Sequence, residues 1–321
     1  MSVDFDIAVV GAGAAGLTAA QYGARANLRT VVIEQTATGG QCLEIENLEN
    51  YPGFPDAIDG YEFTERLESQ AKRFGAEFRI TTVERLDKES DAFVLETPGG
   101  RITARTVILA TGARHRHLGV PGESELAGRG VSYCATCDGP FFRNRKILVV
   151  GGGDAACDEA TFLSKLSDQV TIIHRRDRFR AQPAVAQRVL DNPSIAVRFN
   201  TVLTEIHGEK NQSGLEHVAA VTLKDTRTEE TERVPFDAVF VFVGSDPQTG
   251  LVPTLKKDDA GYVVTDQNMQ TDIPGLFAVG DVRCSPFRQL VVAAGEGAIA
   301  AHAAARHIEA LSGRVYEEYR S

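Results

Sequence analysis

Two cysteines, Cys134 and Cys137, stand two residues apart in Cys134-Ala135-Thr136-Cys137-Asp138. At that spacing two thiols close a small disulfide ring that two electrons open again, so the stretch is able to carry reducing equivalents. Its weight comes from where it lies. Gly11-Ala12-Gly13-Ala14-Ala15-Gly16 precedes it and Gly151-Gly152-Gly153-Asp154-Ala155-Ala156 comes after it. Both have the spacing of a dinucleotide-binding turn. A dithiol between two such turns reads as an electron relay with a source and an outlet.

The elements that must position these groups are written around them. Asp6 to Val10 predicts a buried strand, and the alanine-rich run from Ala14 to Ala26 predicts a helix. Between them Gly11 permits the turn, Gly13 admits a pyrophosphate to the backbone, and Gly16 lets helix and strand pack closely. The helix N-terminus then faces the phosphates. A second strand, Thr30 to Ile33, ends at Glu34, an acid placed to hydrogen-bond ribose hydroxyls. Thr38 to Cys42 and Glu49 to Gly53 read as loops. Tyr61 to Phe74 reads as a packing helix with Phe63, Leu67, Ala71 and Phe74 on one face. Short strands occupy Phe78 to Ile108, and Val107 to Ala110 is a buried strand ending in Thr111-Gly112.

The Gly119-Val120-Pro121-Gly122 segment reads as a connector at a domain boundary, with His115 and His117 in a solvated loop. Ile147 to Val150 opens the second strand-turn-helix unit, whose next strand is Val170 to Ile173. Beyond that strand the chain has no acid but the run His174-Arg175-Arg176-Asp177-Arg178-Phe179-Arg180. Guanidinium groups bind a ribose 2′-phosphate bidentately, whereas an acid would repel it, so NADP(H) is expected here over NAD(H). Pro183 to Leu190 predicts a helix, Ile195 to Leu223 strands, and Asp237 to Val243 a buried strand with an exit at Gly244 to Pro247. The strand Leu276 to Val279 runs into Gly280-Asp281, an acid able to reach a sugar or ribityl hydroxyl. Gln289 to Leu311 is strongly helix-forming.

Length and composition agree with this. The 321 residues are 43% hydrophobic and 24% charged, enough apolar material for two globular cores. No run of apolar residues is long enough for a membrane span, and Met1 to Asp6 lacks a basic and apolar leader, so a cytoplasmic protein is expected. A net charge of −10 argues against general nucleic-acid binding. The five cysteines include only one close pair, which argues against a disulfide scaffold or a structural zinc site; no metal is expected. Cys42, Cys157 and Cys284 are expected to be small packing residues.

Taken together, the two glycine turns, Gly-Gly-Gln at 39–41, Ala-Thr-Gly at 110–112, the Cys-Ala-Thr-Cys-Asp stretch, the His-Arg-Arg run and Gly280-Asp281 resemble the low-molecular-weight, NADPH-dependent thioredoxin reductases over nearly the whole chain. The resemblance implies an α/β protein with two Rossmann-like dinucleotide-binding domains. Residues 1–116 and 246–321 would form a discontinuous FAD-binding domain, and 117–245 an inserted NADPH-binding domain that carries the Cys pair. FAD would be held by Gly11, Gly13, Ala14, Ala15, Gly16, Glu34, Gln35, Gly40, Gln41, Asn50, Ala110, Thr111, Gly112, Gly280, Asp281, Arg288 and Gln289. The last helix would direct its N-terminal dipole at the flavin pyrimidine ring. NADPH would be held by Gly151, Gly153, Asp154, Ala155, His174, Arg175, Arg176 and Arg180.

By the same likeness Cys137 receives electrons from the flavin, Cys134 attacks the disulfide of thioredoxin, and Asp138 is the general acid or base that serves the dithiol. A homodimer and a rotation of the inserted domain between two poses are also implied, with hinges near Gly119–Gly122 and Gly244–Pro247. In ferredoxin–NADP reductases of related build a C-terminal aromatic covers the flavin; Tyr316 and Tyr319 would be its equivalents here. A ferredoxin donor, a glutaredoxin-like partner and a redox sensor without turnover are the alternative readings.

Overall fold

Phe5–Val10 (β1) places Ile7, Val9 on one face and Ala8, Val10 on the other, and both sets are buried. Such a strand needs cover on two sides, which is the condition of a parallel sheet between helical layers. The computed structural model describes residues 3–45, 48, 50–210 and 214–311. Its chain divides into two units, Met1–Arg114 with Asp246–Ser321, and His115–Ser245.

In the first unit β1 leads through the Gly11 turn into α1 (Ala14–Arg25), then β2 (Thr30–Glu34), α2 (Gly60–Arg73), β3 (Glu77–Ile80), β4 (Arg85–Glu89), β5 (Ala92–Thr97) and β6 (Gly100–Leu109). The strand order is β3-β2-β1-β6-β5-β4. β1, β2, β3 and β6 are parallel, while β4 and β5 run antiparallel beside the first half of β6. The chain leaves through the short strand β7 (Ala113–His115).

The second unit runs β8 (Val131–Ser132), α3 (Ala135–Asp138), β9 (Ile147–Gly151), α4 (Asp154–Leu163), β10 (Val170–Ile173), α5 (Pro183–Leu190) and β11 (Ile195–Arg198). Next come an antiparallel meander, β12 (Thr201–Lys210), β13 (Glu216–Asp225) and β14 (Thr231–Pro235), and then β15 (Ala238–Phe242). The main sheet, β11-β10-β9-β15-β8, is parallel throughout. After β16 (Ser245–Pro247) the chain completes the first unit with β17 (Leu276–Ala278), parallel to the last residues of β6, and α6 (Leu290–Leu311).

In both sheets the strand that carries the glycine turn, β1 or β9, lies between its successor and a strand reached later in the chain. That is the topological switch point, where doubly wound sheets open a crevice for ligands at their carboxyl ends. α1 and α6 cover one face of the first sheet with alanines, Ala19, Ala20, Ala300, Ala301 and Ala304, all buried with Ile7 and Val9.

One packing expectation changes. Phe74 does not join the buried face of α2: it is the C-cap residue and 41% exposed, because the helix ends before its side chain reaches the core. The crossing between units lies at Arg114/His115, upstream of the glycine connector. Gly122 belongs to the packing of the second unit: a β-carbon there would sit 2.0 Å from the Ile206 carbonyl oxygen, and the Ile206 N–H donates to Pro121. Among the described residues no helix is long and apolar enough to cross a membrane. Tyr316 and Tyr319 lie outside the described residues.

Candidate functional site

The dithiol is delivered by β8, an edge strand of the second sheet. Cys134 and Cys137 are joined as a disulfide. Cys134 is the N-cap of α3, and its Sγ accepts a hydrogen bond from the Cys137 backbone N–H at 3.2 Å. Ser132, a residue the sequence did not single out, clamps the approach: its hydroxyl accepts from the Cys134 N–H at 3.1 Å and donates to the Cys134 carbonyl at 3.2 Å. Ala135, between the two sulfurs, is fully buried among Ala156, Cys157, Ala160 and Leu163 of α4. The dithiol therefore stands on the helix that the second glycine turn opens. Asp138 precedes the single 3-10 turn Gly139–Phe142 but gives it no side-chain cap.

The second glycine turn has the features of a dinucleotide cradle. Gly153 is the N-cap of α4, without a side-chain cap, and a β-carbon there would meet nothing within 4 Å. The first N–H groups of the helix are thus open to an anion. At the end of β10, His174 is buried, and its Nε2 has no hydrogen-bond partner. Burial lowers its pKa, and the positive charges of Arg180, Arg176 and Arg175 lower it further. An unpartnered buried nitrogen at the strand end, followed by exposed arginines, fits a phosphate-bearing ribose. The loop is held by its backbone: the Arg180 N–H donates to Gly152, and the Gln182 N–H to the Asp154 carboxylate at 2.7 Å. Asp154 thus fastens the arginine loop to the helix start.

The first unit repeats the cradle. Gly11 has φ +104°, and a β-carbon there would sit 2.3 Å from the Ala110 carbonyl oxygen. Gly13, the N-cap of α1, again has no side-chain cap. Glu34 turns both carboxylate oxygens on the backbone around it: Oε2 accepts from the Ala12 N–H at 2.8 Å and Oε1 from the Gln35 N–H at 2.7 Å. Gly40 packs near Gly13, and the side chain of Gln41 donates to the Ala113 carbonyl. Asn50 donates to Gln289 at 3.0 Å, joining that loop to the start of α6. Gly280 lies against Ala15 and opens the 3-10 turn Gly280–Val282 that presents Asp281. Burial raises the Asp281 pKa, while Arg288 opposes the rise. Arg288 itself lies over the Tyr262 ring, 4.0 Å from its centre. The Thr111 hydroxyl donates to the Gln248 carbonyl at 2.7 Å, and the Gln248 N–H donates to the Gly112 carbonyl at 2.9 Å, where the chain re-enters this unit. The uncapped glycine cradle and the half-buried acid beside it fit an adenine dinucleotide.

The remaining thiols divide. Cys42 and Cys157 are buried, and burial pushes each thiol up to about 11, so both stay protonated at neutral pH. Cys284 is exposed, not packed as expected; its thiol hydrogen-bonds Asp258, which raises its pKa.

His117 lies in an exposed loop as expected, whereas His115 is half-buried in β7. His115 stacks on Tyr133 with ring centres 5.3 Å apart, and His117 Nδ1 lies 2.7 Å from the Tyr133 hydroxyl. That hydroxyl donates to Glu123, which is 1% exposed and also accepts from the Leu118 and Gly119 N–H groups. A second buried group missed from sequence is Glu296 on α6. Its one visible signal is an acid standing alone in a stretch of alanines and glycines.

Comparison with known proteins agrees with this geometry. Residues 5–305 match the pyridine nucleotide-disulphide oxidoreductase family model. The chain is 55% identical to the thioredoxin reductase of Treponema pallidum (strain Nichols) over 97% of this chain and 99% of that protein. It is 43% identical to that of Listeria monocytogenes serovar 1/2a (strain EGD-e) over 96% of this chain and 95% of that one. The crystal structure of thioredoxin reductase from Streptococcus pyogenes MGAS5005 superposes with a TM-score of 0.88 at 41% identity, covering 95% of this chain and 98% of that one. With its disulfide seated on the helix that the second glycine turn opens and a similar turn in the other unit, the chain belongs to the pyridine nucleotide-disulphide oxidoreductases, among the low-molecular-weight thioredoxin reductases.

Proposed function

We propose that this oxidoreductase reduces the disulfide of a thioredoxin-like protein at the expense of NADPH, with FAD in the first unit and NADPH in the second, and that it works as a homodimer. The observation that carries the reading is the Cys134–Cys137 disulfide seated on α4, the helix whose glycine turn lies under His174 and accepts from the Arg180 N–H. Bound together, FAD and NADPH supply a two-electron conduit that ends at this disulfide.

The chain's own residues do the rest. His174, Arg175, Arg176 and Arg180 hold the 2′-phosphate, and Glu34 and Asp281 hold sugar hydroxyls in the first unit. When the disulfide is opened, its two sulfurs take up two electrons. Asp138 moves the proton at the Cys137 Sγ. The Cys134 thiolate attacks one sulfur of the partner disulfide; a mixed disulfide forms and the other partner sulfur leaves as a thiolate. The Cys137 thiolate then attacks the Cys134 sulfur, which restores the Cys134–Cys137 bond and frees the second partner thiolate. Protons from solvent complete the two partner thiols.

An anaerobic titration of the purified protein with NADPH, followed at the flavin absorbance band, tests this. Bleaching by NADPH and recovery on adding oxidised thioredoxin is the expected result. A band that NADPH leaves oxidised while dithionite bleaches it overturns the nucleotide assignment. A bleached band that thioredoxin does not restore overturns the partner.

A further inference from the structure

Glu296 is 6% exposed, on a helix whose neighbouring residues there are alanine and glycine. A lone buried carboxylate of this kind is retained against a high desolvation cost, so its partners define what it does. One oxygen, Oε1, meets Arg283 Nη1 at 2.5 Å; the other, Oε2, accepts from the Gly280 N–H at 2.8 Å. Arg283 is held from the other side, its Nε donating to Thr265 Oγ1 at 2.8 Å, and its own N–H donates to the Gly280 carbonyl at 3.1 Å. Glu296 and Arg283 thus grip both ends of one peptide corner, and Asp281 is the residue that corner presents. The next residue, Gly297, seats α6 on the first turn of α1: a β-carbon there would lie 2.2 Å from the Ala15 carbonyl oxygen. One turn of α6 therefore fixes Asp281 and the phosphate-facing end of α1 together.

We propose that Arg283 and Glu296 are a positioning pair for the flavin nucleotide. Glu296 sets the Gly280–Asp281 corner, and Arg283 cancels the glutamate's charge so that only Asp281 faces the anionic pyrophosphate region. The proposal rests on the reading that the first unit holds FAD. The charged and titratable groups around Glu296 are Arg283 and Asp281, with Arg288 and the Cys42 thiol beyond Asp281. The pair predicts an asymmetry that a merely structural contact does not. Without the arginine, a buried carboxylate stands uncompensated next to Asp281 and repels the pyrophosphate; without the glutamate charge, a cation remains.

The test is the rate at which FAD fluorescence appears after dilution of the full-length holoenzyme, at pH 6 and pH 8, for the parent, Arg283→Met, Glu296→Gln and the double variant. Arg283→Met is expected to release FAD about tenfold faster than the parent at pH 8 and only about threefold faster at pH 6, where the stranded carboxyl takes up a proton. Glu296→Gln and the double variant are expected within about threefold of the parent, with no pH dependence beyond the parent's. Equal release from Arg283→Met and the double variant at both pH values overturns the proposal, as does a Glu296→Gln variant that releases FAD as fast as Arg283→Met. If Arg283→Met yields no soluble protein, Arg283→Lys at parent rates beside Arg283→Gln at rates that fall with acid supports the proposal, and equal rates for the two overturn it. A parent protein that gives no FAD fluorescence on heat denaturation fails the cofactor reading itself, a distinguishable result.

Discussion

The backbone N–H of Cys137 points at the Sγ of Cys134 from 3.2 Å, so the first sulfur of the pair caps the short helix that carries the second. After reduction the same N–H faces the Cys134 thiolate and favours it over the thiol. In chemically reduced protein at pH 7, iodoacetamide is expected to alkylate Cys134 about tenfold faster than Cys137. Peptide mass spectrometry over a time course measures both rates, and equal rates remove the assignment of Cys134 as the attacking sulfur. Cys42 and Cys157, both pushed up to about 11, should stay unlabelled while the protein is folded.

Arg175 and Arg176 stand exposed beside the buried His174. A charged hydrogen bond to phosphate contributes about 1.5–3 kcal/mol, so replacing both arginines with alanine should raise the KM for NADPH by at least about tenfold. The KM for NADH, which lacks the 2′-phosphate, should not move. Steady-state kinetics with both nucleotides decide it; an unchanged preference removes the arginines from the site.

Gly152 lies under the His174 ring, and a β-carbon there would come within 2.2 Å of its Nδ1. Gly152→Ala should push the imidazole off its position and raise the KM for NADPH about tenfold, with kcat held within about twofold. The FAD content of the purified variant should equal the parent's. Loss of FAD along with NADPH affinity would mean that the damage is not local.

Asp138 comes directly after Cys137 and gives no side-chain cap to the turn behind it. Asp138→Asn should slow turnover with thioredoxin by about 10–100-fold while NADPH bleaches the flavin at the parent rate. Stopped-flow absorbance separates the two steps. Parent turnover from a folded variant would leave Asp138 without a proton-transfer role.

Glu159, on α4, is pushed up to about 7 by burial and then by the neighbouring Asp158. A carboxyl with a folded value above its unfolded one holds its proton longer in the folded state, so stability falls as pH rises from about 4.5 to about 7. Glu159→Gln should match the parent at pH 5 and exceed it by about 1–2 kcal/mol at pH 8. Urea midpoints at the two pH values measure this, and equal midpoints at pH 8 contradict it.

What the sequence discloses and what it conceals have a common physical cause. Gly11, Gly13, Gly16 and Glu34 are legible because the backbone geometry of one turn fixes their types within a few dozen residues. The His174 to Arg180 run is legible because it follows directly on the second strand of a strand-turn-helix unit. Glu123 and Glu296 are not, because their meaning lies in partners that only the fold brings near: Tyr133 and His117 for one, Gly280 and Arg283 for the other. Gly122 misleads for a related reason. It stands in a stretch that reads as a connector, but its positive φ of +87° and the close Ile206 carbonyl make it a packing residue. Cys284 misleads because an isolated cysteine is most often a buried packing residue, while here it is exposed beside Asp258.

The late return of β17 to β6 governs how the molecule is made. Leu276 pairs with Val107, and the whole second unit is translated between them. At about 5–20 residues per second, the end of β6 waits on the ribosome for roughly 10–30 s before its partner strand emerges. α6, which covers the alanine face of the sheet, comes later still. The inserted unit is complete first and folds while the open side of the first sheet is still bare. Nascent chains stalled before β17 are therefore the ones most in need of a chaperone, and the first unit closes only after the second has been made.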